Sequence, residues 1–254
     1  MIQIMTWQGI GFDLDNTLFS HEQAFERATK DSYHSYCENV GRSSKLVPYD
    51  HFFALFKTNS DQYWQLFEEK KIDGPTYRRM RFNETMKTLA LPYGDDLSDR
   101  FHAHYYRLVD EYSVPFQGLK EIMVLLKEQD IKFVIITNGT IDTQYGKVKR
   151  LGLDKWIEEE NVIVSEEVGI AKPDPDIFRL AEKKLDFLAE DMLFIGDSWK
   201  HDIVGSIDAG WDAIFLNTRG EDRKTNHSPL KEYLTLVEVY HFLSHTYGRG
   251  LGHE

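Results

Sequence analysis

The chain has 254 residues, 41% hydrophobic and 28% charged, with 17 Gly, 7 Pro and one Cys, a profile that excludes collagen-like, low-complexity and disulfide-scaffold classes. The 42 acidic against 30 basic side chains give a formal charge of -12, which opposes the phosphate attraction on which nucleic-acid binders depend, so no nucleic-acid partner is expected. No apolar run is long enough to span a bilayer, the stretch from Met1 to Gly9 lacks a basic leader and cleavage site, and Cys37 has no partner within the chain; a cytoplasmic protein without membrane attachment is expected.

The stretch from Trp7 to Phe12 is short, apolar and glycine-containing, and runs into the acidic cluster Asp13-Leu14-Asp15-Asn16-Thr17. It predicts a buried strand that ends in a functional loop. From His21 to about Tyr112 the spacing turns helical, with Phe52, Phe53, Leu55 and Phe56 and then Tyr63, Trp64 and Phe67. Breaks at Pro48, Gly74-Pro75 and Pro92-Tyr93-Gly94 divide this block into four helices. After Pro115 the pattern alternates: helix 119–128, strand 132–136, helix 142–151, strand 162–164, helix 175–185, strand 192–195, helix 201–209, strand 212–216. Residues after Asn217 are polar, then weakly helical from Leu230 to Leu243, and the tail from Gly248 is expected to fray.

Short apolar runs separated by helices predict a parallel sheet covered on both faces, a doubly wound, Rossmann-like α/β core. The helical block falls between its first strand and the rest. The expected organisation is therefore a core of residues 1–18 plus 114–254 and an inserted all-helical cap of residues 19–113. No signal for an oligomeric state is present.

In such a sheet, ligands bind beyond the carboxyl ends of the strands. The residues there are polar: Asp13 and Asp15, then Thr137-Asn138-Gly139, then Gly196-Asp197-Ser198 with Asp202 further on. Lys172-Pro173 stands shortly before a helix. Taken singly, each could be a cap or a turn. A calcium loop starting at Asp13 is excluded, because its sixth and twelfth positions are Leu18 and Ala24 instead of Gly and Glu.

Together, Asp13-Leu14-Asp15-Asn16-Thr17-Leu18, Thr137-Asn138-Gly139, Lys172-Pro173 and Gly196-Asp197-Ser198 through Asp202 resemble the four motifs of the haloacid dehalogenase-like (HAD) hydrolase superfamily, from Gly11 to about Leu216. The resemblance implies that Asp13 is a nucleophile forming an aspartyl-phosphate. It implies that Asp15 is the general acid and base, a role for which a partly buried carboxyl among other carboxylates can have a raised pKa. It implies a Mg²⁺ cofactor held by the side chains of Asp13 and Asp197 and the backbone carbonyl of Asp15, with Asp202 acting through water or another ligand. Thr137 and Lys172 would bind phosphoryl oxygens, helped by N–H groups of Asn138 and Gly139 at a helix N-terminus. Thr17 would tie the first loop together.

The cap inserted after the first motif suits a small soluble phosphate ester, since lid closure excludes water and protein-sized substrates. Its text around Gly74, Tyr77, Arg78, Arg81 and Phe82 is similar to caps of nucleotidases and sugar-phosphate phosphatases. A Mg²⁺-dependent phosphomonoester hydrolase is expected, with a nucleoside 5'-monophosphate or a sugar phosphate as candidate substrates. A phosphomutase, a 2-haloacid dehalogenase (whose first motif lacks the acid at the position of Asp15) and a non-catalytic binding module are the alternatives. His21, Arg78 and Arg81 are candidate substrate contacts in the lid; its aromatic residues read as packing between lid helices more than as a nucleobase platform.

Overall fold

The computed structural model describes residues 7–40 and 47–248. In chain order the elements are β1 (Gly9–Phe12), α1 (His21–Val40), α2 (Tyr49–Glu68), α3 (Gly74–Thr88), α4 (Asp95–Tyr112), α5 (Leu119–Glu128), β2 (Lys132–Thr137) and α6 (Ile141–Arg150). They continue with β3 (Val162–Val164), α7 (Ser165–Val168), α8 (Pro175–Leu185), β4 (Met192–Gly196), α9 (Gly205–Asp208), β5 (Asp212–Leu216), β6 (Lys231–Tyr233) and α10 (Leu236–Gly248). Two compact units result, one of residues 1–21 and 114–254 and one of residues 22–113. No described helix is long and apolar enough to cross a membrane.

The first unit is an α/β fold on a six-stranded parallel sheet of order β3-β2-β1-β4-β5-β6. β1 lies between β2 and β4, with Phe12 level with Ile135 on one side and Ile195 on the other. The segments that leave β1, β2 and β4 therefore emerge side by side at the carboxyl ends of the strands. One face is covered by α8, through Ile177, Phe178, Ala181 and Leu185, which pack with Val134, Ile136, Phe194 and Trp211. The rings of Phe178, Phe194 and Trp211 meet edge-on at 5.2–6.1 Å. The glycines of β1 belong to this face. A Cβ on Gly11 would stand 2.6 Å from Phe194 and 2.8 Å from Trp211, so the aromatic layer occupies the space a side chain would need.

Four local readings are corrected. The predicted helix 201–209 is a wide π-type turn over Trp199–Val204 followed by the short α9, because the Ser198 carbonyl accepts from both Asp202 and Ile203 (3.0 and 3.2 Å). The polar stretch after Asn217 contains β6, whose Lys-Glu-Tyr text has no apolar signal because it is an exposed edge strand paired only with β5. The helix expected from Leu230 instead starts at Leu236, buries Leu236, Val239 and Leu243, and donates from the Tyr247 hydroxyl to the Trp7 carbonyl (2.9 Å). The interval between Asn138 and Lys172 holds α7 and two short 3₁₀ turns besides the predicted helix and strand. The tail expected to fray lies, beyond Gly248, outside the described residues.

The second unit is helical throughout its described residues, and the proline and glycine breaks mark its helix starts. Asp73 caps α3, accepting from Thr76 N–H at 2.8 Å, with Pro75 in the first turn. Its interior is aromatic: Phe52, Phe56 and Phe82 are fully buried, Tyr33 stacks on Phe52 at 4.0 Å and Phe82 meets Phe101 at 5.1 Å. Phe52 and Phe56 are thus core, not a platform.

Adding one methyl group to the tightest point of the sheet tests this packing. Gly11→Ala is expected to lower the unfolding free energy by about 1–3 kcal/mol through overpacking against Phe194 and Trp211, read as a lower urea midpoint with unchanged slope.

Candidate active site

Asp13 follows the last residue of β1 and its N–H still donates to the Ile195 carbonyl (3.0 Å), so the β ladder fixes its backbone. Asp197 follows β4, Thr137 ends β2, and Lys172 precedes α8. The structure brings Asp13, Asp197 and Lys172 together with Asp202. Lys172 Nζ donates to Asp13 Oδ1 and Asp202 Oδ1, each at 2.7 Å, and its side chain is almost fully buried. Asp202 Oδ2 accepts the Ser198 N–H at 2.9 Å, which is why the wide turn after β4 matters: it folds Asp202 back under the loop. Gly196 permits this approach, since a Cβ there would lie 2.5 Å from the Asp202 carboxyl. The Thr17 hydroxyl is 2.9 Å from Asp13 Oδ2 and 3.4 Å from Asp197 Oδ1, tying the first loop as expected.

Carboxylate oxygens of Asp13, Asp197 and Asp202 lie within 4.8 Å of one another, all three residues buried. Their electrostatics follow from that crowding. Burial, offset in part by Lys172 and reinforced by Asp202, pushes Asp13 up to about 7. Burial, then Asp13 and Asp202, push Asp197 well above the ordinary carboxyl value, although Arg219 Nη2 stands 2.6 Å from its Oδ2. Lys172 goes the other way: burial disfavours its charge, yet Asp13 and Asp202 raise its pKa. Carboxylates outnumber cations here, and the all-oxygen donor set suits a hard divalent cation such as Mg²⁺.

Asp15 stands apart from this trio. Lys147 Nζ donates to both its oxygens (2.7 and 2.8 Å), Gln144 Nε2 donates to Oδ2 at 3.1 Å, and His21 Nδ1 lies 3.7 Å from Oδ1. Burial works against the ionised form, but Lys147, His21 and Gln144 together overcome it and hold the carboxyl at about 2. The raised pKa anticipated for Asp15 is therefore corrected: its immediate neighbours are a lysine ammonium, an imidazole and an amide, not carboxylates.

Thr137 is fully buried and its hydroxyl has no hydrogen-bond partner among the described residues. Asn138 clamps Lys172 from both sides, its Nδ2 donating to the Lys172 carbonyl and its Oδ1 accepting the Lys172 N–H, both at 2.9 Å. The Gly139 N–H donates to Ser165 Oγ at 3.1 Å, and the helix that follows starts two residues later, at Ile141. Arg78 and Arg81, named with His21 as lid candidates, lie one turn apart on α3 in the helical unit.

Lys147 and Gln144 escape the sequence motifs. Their signal is positional: they occur three residues apart on α6, on the same buried face as Val148, and polar residues at buried positions of a helix need partners. Arg219, on the polar stretch after β5, carries no comparable signal.

Fold and site together define a parallel α/β protein with a buried cluster of aspartates at its strand ends. The chain belongs to the haloacid dehalogenase-like hydrolases, whose family model matches residues 7–210. It is 27% identical over 234 residues to the HAD-hydrolase YfnB of Bacillus subtilis, covering 92% of this chain and 94% of that protein. The magnesium-bound crystal structure of YfnB superimposes with a TM-score of 0.75, covering 94% of this chain and 99% of the other at 26% identity. It is 28% identical over 207 residues to the glyceraldehyde 3-phosphate phosphatase of Pyrococcus abyssi (82% and 80% covered), and 25% identical over 245 residues to the pyrimidine 5'-nucleotidase YjjG of Escherichia coli (94% and 99% covered).

The carboxylate crowding has a measurable sign. With its pKa raised from 3.8 to about 7, Asp13 binds more protons folded than unfolded between those values, so its contribution to stability falls as pH rises through that window and is fully unfavourable above it. In chelator at about pH 8, Asp13→Asn is expected to unfold at a higher temperature than the parent, with the gap closing below about pH 4. Thermal melts followed by circular dichroism across this range read it directly.

Proposed function

We propose that the chain is a Mg²⁺-dependent phosphomonoester hydrolase that transfers the phosphoryl group of a small soluble ester to Asp13 and then to water. The observation that carries this reading is the buried cluster in which Lys172 bridges Asp13 and Asp202 beside Asp197. Lys172 and Thr17 fix the two oxygens of Asp13, which orients the carboxylate for attack on phosphorus. The Thr137 hydroxyl and Lys172 ammonium supply donors for the phosphoryl oxygens. Asp13 and Asp197 side chains and the Asp15 carbonyl would hold the cation, which when bound offsets the combined negative charge of carboxylates and phosphate. Asp202 serves by holding Lys172 and the loop after β4.

Asp15 is the acid–base group in this reading. Held at about 2 by Lys147, it is an ionised base ready for the attacking water, and it carries a proton to the leaving oxygen only after parting from Lys147. A triose or other sugar phosphate and a nucleoside 5'-monophosphate are the substrate candidates, drawn from the named relatives in Pyrococcus abyssi and Escherichia coli. A cytoplasmic setting and a cap function for the helical unit, residues 19–113, belong to the same proposal, as does the core of residues 1–18 and 114–254.

Release of inorganic phosphate from a panel of nucleotides and sugar phosphates is expected with Mg²⁺, to stop in excess chelator and to be absent in folded Asp13→Asn. Undiminished turnover in chelator, or in Asp13→Asn, would sink the reading. Asp15→Asn is expected to lose about 10²–10⁴-fold in turnover, less in the first step for p-nitrophenyl phosphate, whose leaving group needs little protonation. Phosphoenzyme should then accumulate in a quenched single turnover. Lys147→Met should shift the acidic limb of the pH–rate profile upward, because burial then acts on Asp15 unopposed by the ammonium. An unmoved limb would show that Lys147 does not govern Asp15 during turnover.

A further inference from the structure

Helix α3 carries Arg78, Arg79 and Arg81, and their surroundings treat them differently. Arg79 is exposed and saturated with carboxylates: it donates to Asp99 through Nε (3.0 Å) and Nη2 (2.7 Å), and Nη1 lies 3.3 Å from Asp95. Arg81 is only 3% exposed, yet everything it meets is neutral. Its Nε donates to His102 Nε2 at 3.0 Å and its Nη1 to the Tyr77 hydroxyl at 2.9 Å. Its guanidinium carbon lies 4.8, 5.0 and 5.4 Å from the ring centres of Tyr77, Phe56 and Tyr105.

His102 does not supply the missing charge. Its Nδ1 is 2.8 Å from the Ser98 carbonyl, so the proton sits on Nδ1 and Nε2 accepts from Arg81. Burial, then the charge of Arg81, push His102 well below its ordinary pKa. Arg78, one turn earlier, lies 4.6 Å from the centre of the Tyr106 ring, and its buried Nε has no acceptor among the described residues. Among the described residues, no carboxylate reaches ion-pair distance of either arginine.

A buried charge without a counter-charge destabilises a fold, and this chain has 42 acidic side chains from which a partner could be drawn. Packing alone does not call for a guanidinium at this position. The hydrogen bonds to His102 and Tyr77 fix the plane of the Arg81 fork, and one turn away the buried Arg78 Nε has no acceptor among the described residues. A fork held in this way matches a carboxylate or phosphate group. We propose that Arg81, with Arg78 one turn away, forms an oxyanion-binding site within the helical unit for a small molecule bearing a carboxylate or phosphate group.

The test uses the full chain labelled with ¹³C,¹⁵N-arginine, in chelator at constant ionic strength, titrated separately with inorganic phosphate, malonate and chloride. The Arg81 Nε–H resonance, assigned by its loss in Arg81→Lys or by through-space contacts to Tyr77 and His102 should that variant not fold, is expected to shift saturably with an oxyanion and not with chloride. Which oxyanion saturates at lower concentration distinguishes a phosphate from a carboxylate ligand. Arg78→Gln should weaken the interaction about tenfold, the loss of one charge-assisted contact. An Arg81 signal that stays still with both oxyanions, or moves equally with chloride, overturns the site; unchanged affinity in Arg78→Gln overturns its two-arginine form.

Discussion

One buried ammonium organises the strand-end site. Lys172 Nζ lies 2.7 Å from both Asp13 and Asp202, and Asn138 locks its backbone through two hydrogen bonds. Three segments are thereby tied to one charge: the loop after β1, the loop after β2 and the turn after β4. Without it, Asp13 and Asp202 would share a water-poor site as uncompensated charges, a cost larger than any single packing contact nearby provides. The sheet order makes the arrangement possible, since β1 lies between β2 and β4 and the three segments leave together at the carboxyl ends of these strands.

Even with Lys172 in place, the site remains short of positive charge, and burial pushes both Asp13 and Asp197 towards their neutral forms. This is the condition of a site adapted to a ligand more than to its own stability. Glycine at 196 and the wide turn over Trp199–Val204 belong to the same compromise. Both depart from regular helix or strand packing so that Asp202 can reach Lys172 and the Ser198 N–H.

Asp15 shows how two residues apart in sequence can mean two electrostatic environments. Asp13 faces carboxylates; Asp15 faces Lys147 and Gln144 on α6. The pKa values of about 7 and about 2 separate accordingly, and paired acids pushed in opposite directions are the usual physical basis for dividing roles between them. In the helical unit a comparable contrast divides neighbouring arginines, Arg79 held by aspartates and Arg81 by neutral rings.

The sequence by itself determined the parallel α/β core, because the buried stretches Phe133–Ile136 and Met192–Ile195 are continuous apolar runs whose pattern leaves few alternatives. It also determined the helical block, whose boundaries are written in proline and glycine, and the strand-end acids, whose polarity contrasts with the strands before them. The edge strand Lys231–Tyr233 was illegible, since an exposed strand paired on one side needs no apolar residue. So was the π-type turn, which depends on the Ser198 carbonyl accepting two donors and not on any residue preference. Only the tertiary structure decided the state of Asp15, because its counter-ion Lys147 lies 132 residues away in the chain and charge acts through space, where the distance between them is 2.7 Å.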